Sequence, residues 1–364
     1  MHDRIASLGV GDDLPSGRQL AAEFTMTAVV AYDFGRTSCR GVVVVDGTPG
    51  EVVTEATEAT VIDLDGEQAV VDTLRRLTER LDPPPVQGAA LGLTGMQQAS
   101  TKLERVVEAL SGLHGQVRSV VASDVTIAHA GALGGRPGVV VLAGTGAATL
   151  GVSPTGEPVH VDGCGYLLGD AGSGFRIGRS GLAAALARRD GRGAPTVLVE
   201  LAEDRLGPLY NLPARIHGAT NPARVVAGFS DAVAVAARAG DEIAQMIWTH
   251  AAEDLARSAA AAVERLAART PRSDAASWSV AVSWAGGLFS NRDLLLDPFR
   301  EQLAQLAPTA VVTPPQGDPL DGAALLARDD RTCHERLLLH RHGASRRPTN
   351  EPTGTHAASQ RGEG

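Results

Sequence analysis

The chain has 364 residues, 43% hydrophobic and 21% charged, the balance of a globular protein with room for two sizeable cores. Its net charge of −9 argues against a general nucleic-acid surface, and aromatics at 3% leave few platforms on which bases or sugars could stack. No apolar run approaches a membrane span and no signal-peptide core opens the chain, so the cytoplasm is the default expectation.

In residues 4 to 26 the phrase LPSGRQLAAEF reads as a loop and a short helix and resembles the opening of a GntR-type winged helix. The recognition helix and wing are missing, because an apolar strand begins by Ala28. Without a helix for the major groove no base readout is expected, and residues 1–26 are read as a vestigial leader with Met26 as an alternative start. Two β-branched runs, 28–33 and 40–46, then predict a hairpin whose turn holds Asp33, Gly35 and Thr37. A strand at 51–55 follows, and residues 67–81 place Val70, Leu74, Leu77 and Leu81 on one helical stripe. A strand at 89–93 leads into Thr94 and Gly95; another at 119–123 leads into Asp124 and a helix. Strands at 138–143 and 147–152 flank Gly144-Thr145-Gly146, and Gly169-Asp170-Ala171-Gly172-Ser173-Gly174 opens the next helix. The stripe Ile243, Ile247, Leu255, Val263 and Leu266 predicts a helix over 241–268. A strand at 279–284 meets Gly286-Gly287; a helix at 292–307 and a strand at 309–313 complete the series. From Asp329 to Gly364 the tail is polar and rich in Gly, Pro and Ser, and is expected to be disordered, with His334, His340 and His342 solvated. Strands alternating with helices give the doubly wound α/β class.

A buried strand ending in Gly-Thr-Gly lets backbone N–H groups approach an anion, and a helix N-terminus favours negative charge. Two such loops point to nucleotide-phosphate chemistry rather than to a simple binding module. Cys39, Cys164 and Cys333 lie far apart with no CxxC, so neither a disulfide framework nor a zinc site is expected; Cys39 and Cys164 are read as small buried hydrophobes.

Together, DFGRTSC, the AGTG and GDAGSG pair, WAGGLFSN and DGAALLA resemble the BadF/BadG/BcrA/BcrD ATPase and N-acetylglucosamine kinase family of the actin–hexokinase–Hsp70 superfamily, over roughly residues 28 to 328. The resemblance implies two ribonuclease-H-like domains facing a nucleotide cleft, 27–137 plus 318–328 and 138–317. It implies Asp33 as a magnesium-holding carboxylate and Gly35, Thr37, Gly144, Thr145 and Gly146 around the phosphates of ATP. Gly286 and Gly287 would let backbone pass close to the adenosine. Asp124 would be the general base, Asp170 would bind a sugar hydroxyl, and Thr94 and Gly95 would line the cleft floor. Plain alternatives stand beside these roles: a turn residue for Asp33, a strand-end loop for 144–146, a helix entry for Gly286-Gly287, and an N-cap for Asp124 or Asp170. His129 reads as a satisfied helix histidine.

Some residues depart from the family pattern. Phe34 and Arg36 stand where glycines are usual, Ala171 replaces an acid, Cys164 takes a tryptophan's place, and 55–66 lacks a substrate-holding asparagine. Arg36 could add charge for phosphate or obstruct ATP. Three functions follow: an ATP- and Mg²⁺-dependent kinase of an amino sugar such as N-acetylglucosamine or glucosamine, an activator ATPase of a redox enzyme, or a sugar sensor with little catalysis. The expected partners are a small-molecule sugar and, as an assembly, a homodimer, with no membrane and no nucleic acid.

Overall fold

The computed structural model describes residues 26–36, 38–57, 60–96, 103–115, 117–269, 279–329 and 331–340. Residues 1–25, Thr37 and 341–364 lie outside them, and with them the leader, one expected phosphate contact and His342.

In chain order the first half runs β1 (Ala28–Phe34), β2 (Ser38–Val45), β3 (Thr48–Pro49), β4 (Val53–Ala56), α1 (Gly66–Leu81), β5 (Gly88–Leu93), α2 (Leu103–His114), β6 (Arg118–Ser123) and α3 (Asp124–Leu133). The second half opens with β7 (Gly138–Ala143), β8 (Ala147–Val152), β9 (Pro158–Asp162) and α4 (Gly174–Arg189). A helical layer follows: α5 (Leu198–Leu206), α6 (Leu212–His217), α7 (Pro222–Gly228), α8 (Ser230–Arg238) and the long α9 (Glu242–Ala267). Then come β10 (Val280–Ala285), α10 (Asp297–Leu306), β11 (Ala310–Val312), α11 (Pro319–Arg328) and β12 (Leu339–His340).

The two sheets repeat one plan. In each, an antiparallel meander is continued on one side by two parallel strands: β4-β2-β1-β5-β6 in the first and β9-β8-β7-β10-β11 in the second. Parallel strands need helical crossovers, which is why α1, α2 and α9 interrupt the strand series. Alternation along β1 sends Val30, Tyr32 and Phe34 against α1 and α2, and Val29 and Ala31 against α3 and α11. Burial on both faces explains the near-continuous apolar composition of β1, rich in Val and Ala, and of β5, built of Gly, Ala and Leu. Among the described residues, no helix is long and apolar enough to cross a membrane.

Three local findings differ from the sequence reading. The helix expected at 292–307 starts with a π-turn over Arg292–Leu296 before α10, where Pro298 lacks an N–H and its ring crowds the preceding turn. Cys164 is exposed rather than buried, since it sits in a glycine-flanked loop; Cys39 is buried as expected. The start of the tail expected to be disordered is folded: β12 pairs antiparallel with β6, and His334 is fully buried. Polar composition concealed this because the anchoring residues are few. Leu337 and Cys333 pack near Val125, Leu150 and Val152, and His334 meets His129.

Candidate active site

A cleft of about 550 Å³ opens between the two sheets, lined from both halves of the chain. It gathers the ends of β1, β5, β6 and β7, the strand-end positions where open α/β sheets bind ligands.

Asp33 is the next-to-last residue of β1, and hairpin register puts Arg40 directly across from it. The Arg40 guanidinium donates to the Asp33 carboxylate at 2.7 Å and reaches Asp318 at 3.4 Å. Burial raises the Asp33 pKa, and the Arg40 bond opposes that shift. The turn is closed by Gly35 N–H donating to Ser38 O at 2.9 Å. Arg36 lines the cleft from the same turn.

Asp124 is the first residue of α3, but it is not the cap. Ser123 caps the helix, accepting from Thr126 N–H, which leaves the Asp124 carboxylate for the cleft. Thr94 Oγ1 donates to Asp124 Oδ2 at 2.7 Å, and Val125 N–H donates to Oδ1 at 2.8 Å. Burial dominates and holds the Asp124 carboxyl above the usual carboxylate range, against those two bonds. A half-buried, oriented carboxylate with a raised pKa suits proton acceptance. Gly95, at φ +82°, turns the chain beneath it against Ile62.

From the other half, Gly144, Thr145 and Gly146 bridge β7 and β8. A Cβ on Gly146 would lie 2.7 Å from Asp170 Oδ2, so glycine is required for that carboxylate to sit against the turn. Asp170 is buried at φ +55°, accepts from Gly165 N–H at 3.1 Å, and has its pKa raised chiefly by burial. Its loop is shaped by Asp162, whose carboxylate accepts from the backbone N–H of Asp170 and Ala171 at 2.9 and 2.7 Å.

One expectation is overturned here. The N-terminus of α4 was expected to offer its amides to an anion. Instead Gly174 N–H donates to Gly144 O, Phe175 N–H to Thr145 O, and Arg176 N–H to the Ser173 cap. Those donors are consumed in clamping the 144–146 turn. Gly286, at φ +97°, has a similar supporting part: a Cβ there would lie 2.2 Å from Ala143 O, so it lets the end of β10 press on the end of β7. Gly287 lines the cleft with open space where a Cβ would go.

The structure thus brings together Asp33, Gly35, Thr94, Gly95, Asp124, Gly144, Thr145, Gly146, Asp170, Gly286 and Gly287 around one cleft. Sequence reasoning missed Arg40, Asp162 and Asp318. Signals existed for two of them: Asp162 precedes Gly163 in a turn dipeptide, and Asp318 with Asp321 forms a capping box. Arg40 could be found only from hairpin register.

This architecture defines the class: a two-lobed, ribonuclease-H-like α/β fold of the actin and hexokinase type. A protein-family model matches residues 32–327, and the chain belongs to the BadF/BadG/BcrA/BcrD ATPase family. It is 28% identical over 275 residues to an N-acetylmuramic acid/N-acetylglucosamine kinase of Clostridium acetobutylicum, an alignment covering 72% of this chain and 84% of that protein. It is also 28% identical over 252 residues to an N-acetyl-D-glucosamine kinase of Dictyostelium discoideum, covering 68% and 76% respectively. A crystal structure assigned as an N-acetylglucosamine kinase from Chromobacterium violaceum superposes with a TM-score of 0.64 at 28% identity, covering 83% of this chain and 99% of that one.

Proposed function

We propose that this chain is an ATP-dependent kinase that transfers the terminal phosphoryl group of ATP to a hydroxyl of an amino sugar of the N-acetylglucosamine type. The observation that carries it is the Asp124 carboxylate, half-buried in the cleft, fixed by Thr94 and raised in pKa, facing a glycine turn from the opposite half. Similarity to amino-sugar kinases supports the acceptor class.

In this reading Asp124 orients the acceptor hydroxyl and takes its proton on a carboxylate oxygen as the oxygen–phosphorus bond forms. Thr94 holds the carboxylate in place. Asp170 accepts from a second sugar hydroxyl, and the backbone at 144–146 follows the phosphates from the far wall. Gly35 keeps the near wall low, and Gly287 does so near the nucleoside. Magnesium fits the donors present: Asp33 and Asp318 face one wall, linked through Arg40, and Mg²⁺ takes one or two carboxylates together with phosphate oxygens and water. Asp33 would hold the ion, which neutralises phosphate charge when bound. ATP is a cytoplasmic substrate, so the cytoplasm is where the proposed reaction runs.

The test is ADP release by the full chain with Mg-ATP against a panel of hexoses and N-acetylated hexosamines. Release with an amino sugar, abolished by EDTA and lowered at least ~100-fold in Asp124→Asn, is the expected result. ADP release that is independent of any sugar, or none with every sugar, would overturn the proposal.

A further inference from the structure

Among the described residues, five carboxylates line the cleft: Asp33, Asp124, Asp162, Asp170 and Asp318. A polyphosphate would enter an acidic space, and phosphoryl transfer depends on neutralising charge on the group in flight. Among the described lining residues, only Arg36 and Arg40 are permanently cationic. Arg40 is committed, tied to Asp33 at 2.7 Å and to Asp318 at 3.4 Å. The chain's single lysine, Lys102, lies outside the described residues. Arg36, half-buried in the cleft wall, forms no ion pair or side-chain hydrogen bond among the described residues.

Its position in the chain is as informative as its freedom. Arg36 follows Gly35 in the turn at the end of β1, two residues before β2 begins at Ser38. Its charge is felt at Asp124, the proposed base, and at Asp170, the proposed acceptor-holding acid; it lowers the pKa of both against the effect of burial. A cation near both lies on the side of the cleft toward which the phosphoryl group would travel.

We propose that Arg36 is a catalytic residue that donates from its guanidinium to the non-bridging oxygens of the phosphoryl group during transfer, an arginine finger supplied by the chain's own first turn. This rests on the kinase reading above. In the step, the bond from the terminal phosphorus to the β–γ bridging oxygen breaks and its electron pair leaves with ADP. The bond from phosphorus to the acceptor oxygen forms, and the acceptor's proton passes to Asp124. Arg36 keeps its own protons throughout and bonds the oxygens most strongly when their charge is most spread. A planar guanidinium can bond two phosphoryl oxygens at once, which an ammonium cannot.

The experiment compares wild type, Arg36→Ala and Arg36→Lys with the best amino sugar, and repeats the alanine variant in the presence of guanidinium chloride at low millimolar concentration. The expected result is a fall in kcat of roughly 10²–10³-fold in Arg36→Ala with sugar KM little changed. Arg36→Lys should recover only part of it, and free guanidinium, but not equal sodium chloride, should raise kcat of the alanine variant at least ~10-fold. Rescue in solution requires a folded site, so a misfolded variant cannot imitate it. If wild type turns over and Arg36→Ala matches or exceeds it, the assignment to Arg36 fails while the kinase reading stands. A change confined to sugar KM would also overturn it, moving Arg36 to acceptor binding. A wild type inert with every sugar overturns both.

Discussion

Asp124 owes its proposed role to its neighbours more than to its own identity. A carboxylate at a helix start would ordinarily be taken up in capping, but Ser123 fills that position and releases it. Its pKa is then set by opposed effects, burial raising it and the Thr94 bond stabilising the charged form. The base must be ionised, so activity should rise with pH through this group and fall below it. Thr94→Val removes a bond made to the charged form, which raises the pKa further. The expected outcome is an acidic limb of the kcat/KM profile displaced to higher pH, with activity approaching wild type on the alkaline side. An unshifted limb would mean that Asp124 is not the titrating group. Asp124 itself was legible in sequence as an acid at a strand end. Its freedom was not, because capping by Ser123 depends on backbone angles that residue types do not report.

At the scale of elements, α3 and α11 form the tightest joint around the site. A Cβ on Gly322 would lie 1.9 Å from Ile127 O, and one on Gly131 would lie 2.0 Å from Asp318 O. The two helices therefore touch backbone to backbone, and their N-termini deliver Asp124 and Asp318 to the same cleft. Gly322→Ala must push them apart. We expect it to destabilise the fold by about 1–3 kcal/mol, read by denaturant unfolding, with a loss of activity that exceeds the loss of folded protein. Gly112→Ala, where nothing lies within 4 Å, is the control and should be neutral or slightly stabilising. Sequence patterning located most strands and α1, α3, α4 and α9 to α11, whose apolar runs or stripes mark them, but it passed over α2 and α5 to α8. It failed at β9, whose Pro-Val-His-Val-Asp run is short and polar, and at the π-turn, where one proline alters an otherwise helical pattern.

At the scale of the molecule, residues 331–340 join the two halves. β12 extends the first sheet and Glu335 pairs with Arg118 on β6, while Arg336 reaches Glu157 beside β9. At the centre, His129 Nε2 lies 3.0 Å from Gly138 O and must carry the hydrogen, so its Nδ1 accepts from His334 Nε2 at 2.8 Å. Both rings are held neutral by burial, which depresses their pKa values to about 4 and about 3. Unfolded histidines take up protons below about pH 6.5, so the stability tied to this pair is complete above that pH and is lost on acidification toward the folded values. The cleft carboxylates, raised by burial, work in the opposite direction, so a difference between variants isolates the effect. Thermal melts should show a larger fall in Tm between about pH 7 and pH 5 in wild type than in His334→Phe; equal falls would count against the pair. Composition hid this joint, since a polar, histidine-bearing tail looks like one that stays in water.

The repeated sheet plan has a consequence for how the two sides of the cleft differ. The end of β1 and the end of β7 occupy equivalent places in their sheets, yet one turn carries Asp33 and Arg36 while the other is Gly144-Thr145-Gly146 with no charge at all. In the proposed reaction the repeat is kept in the backbone and broken in the chemistry. The turn after β1 provides ionic groups that change what happens, and the turn after β7 provides a neutral surface that fixes where it happens.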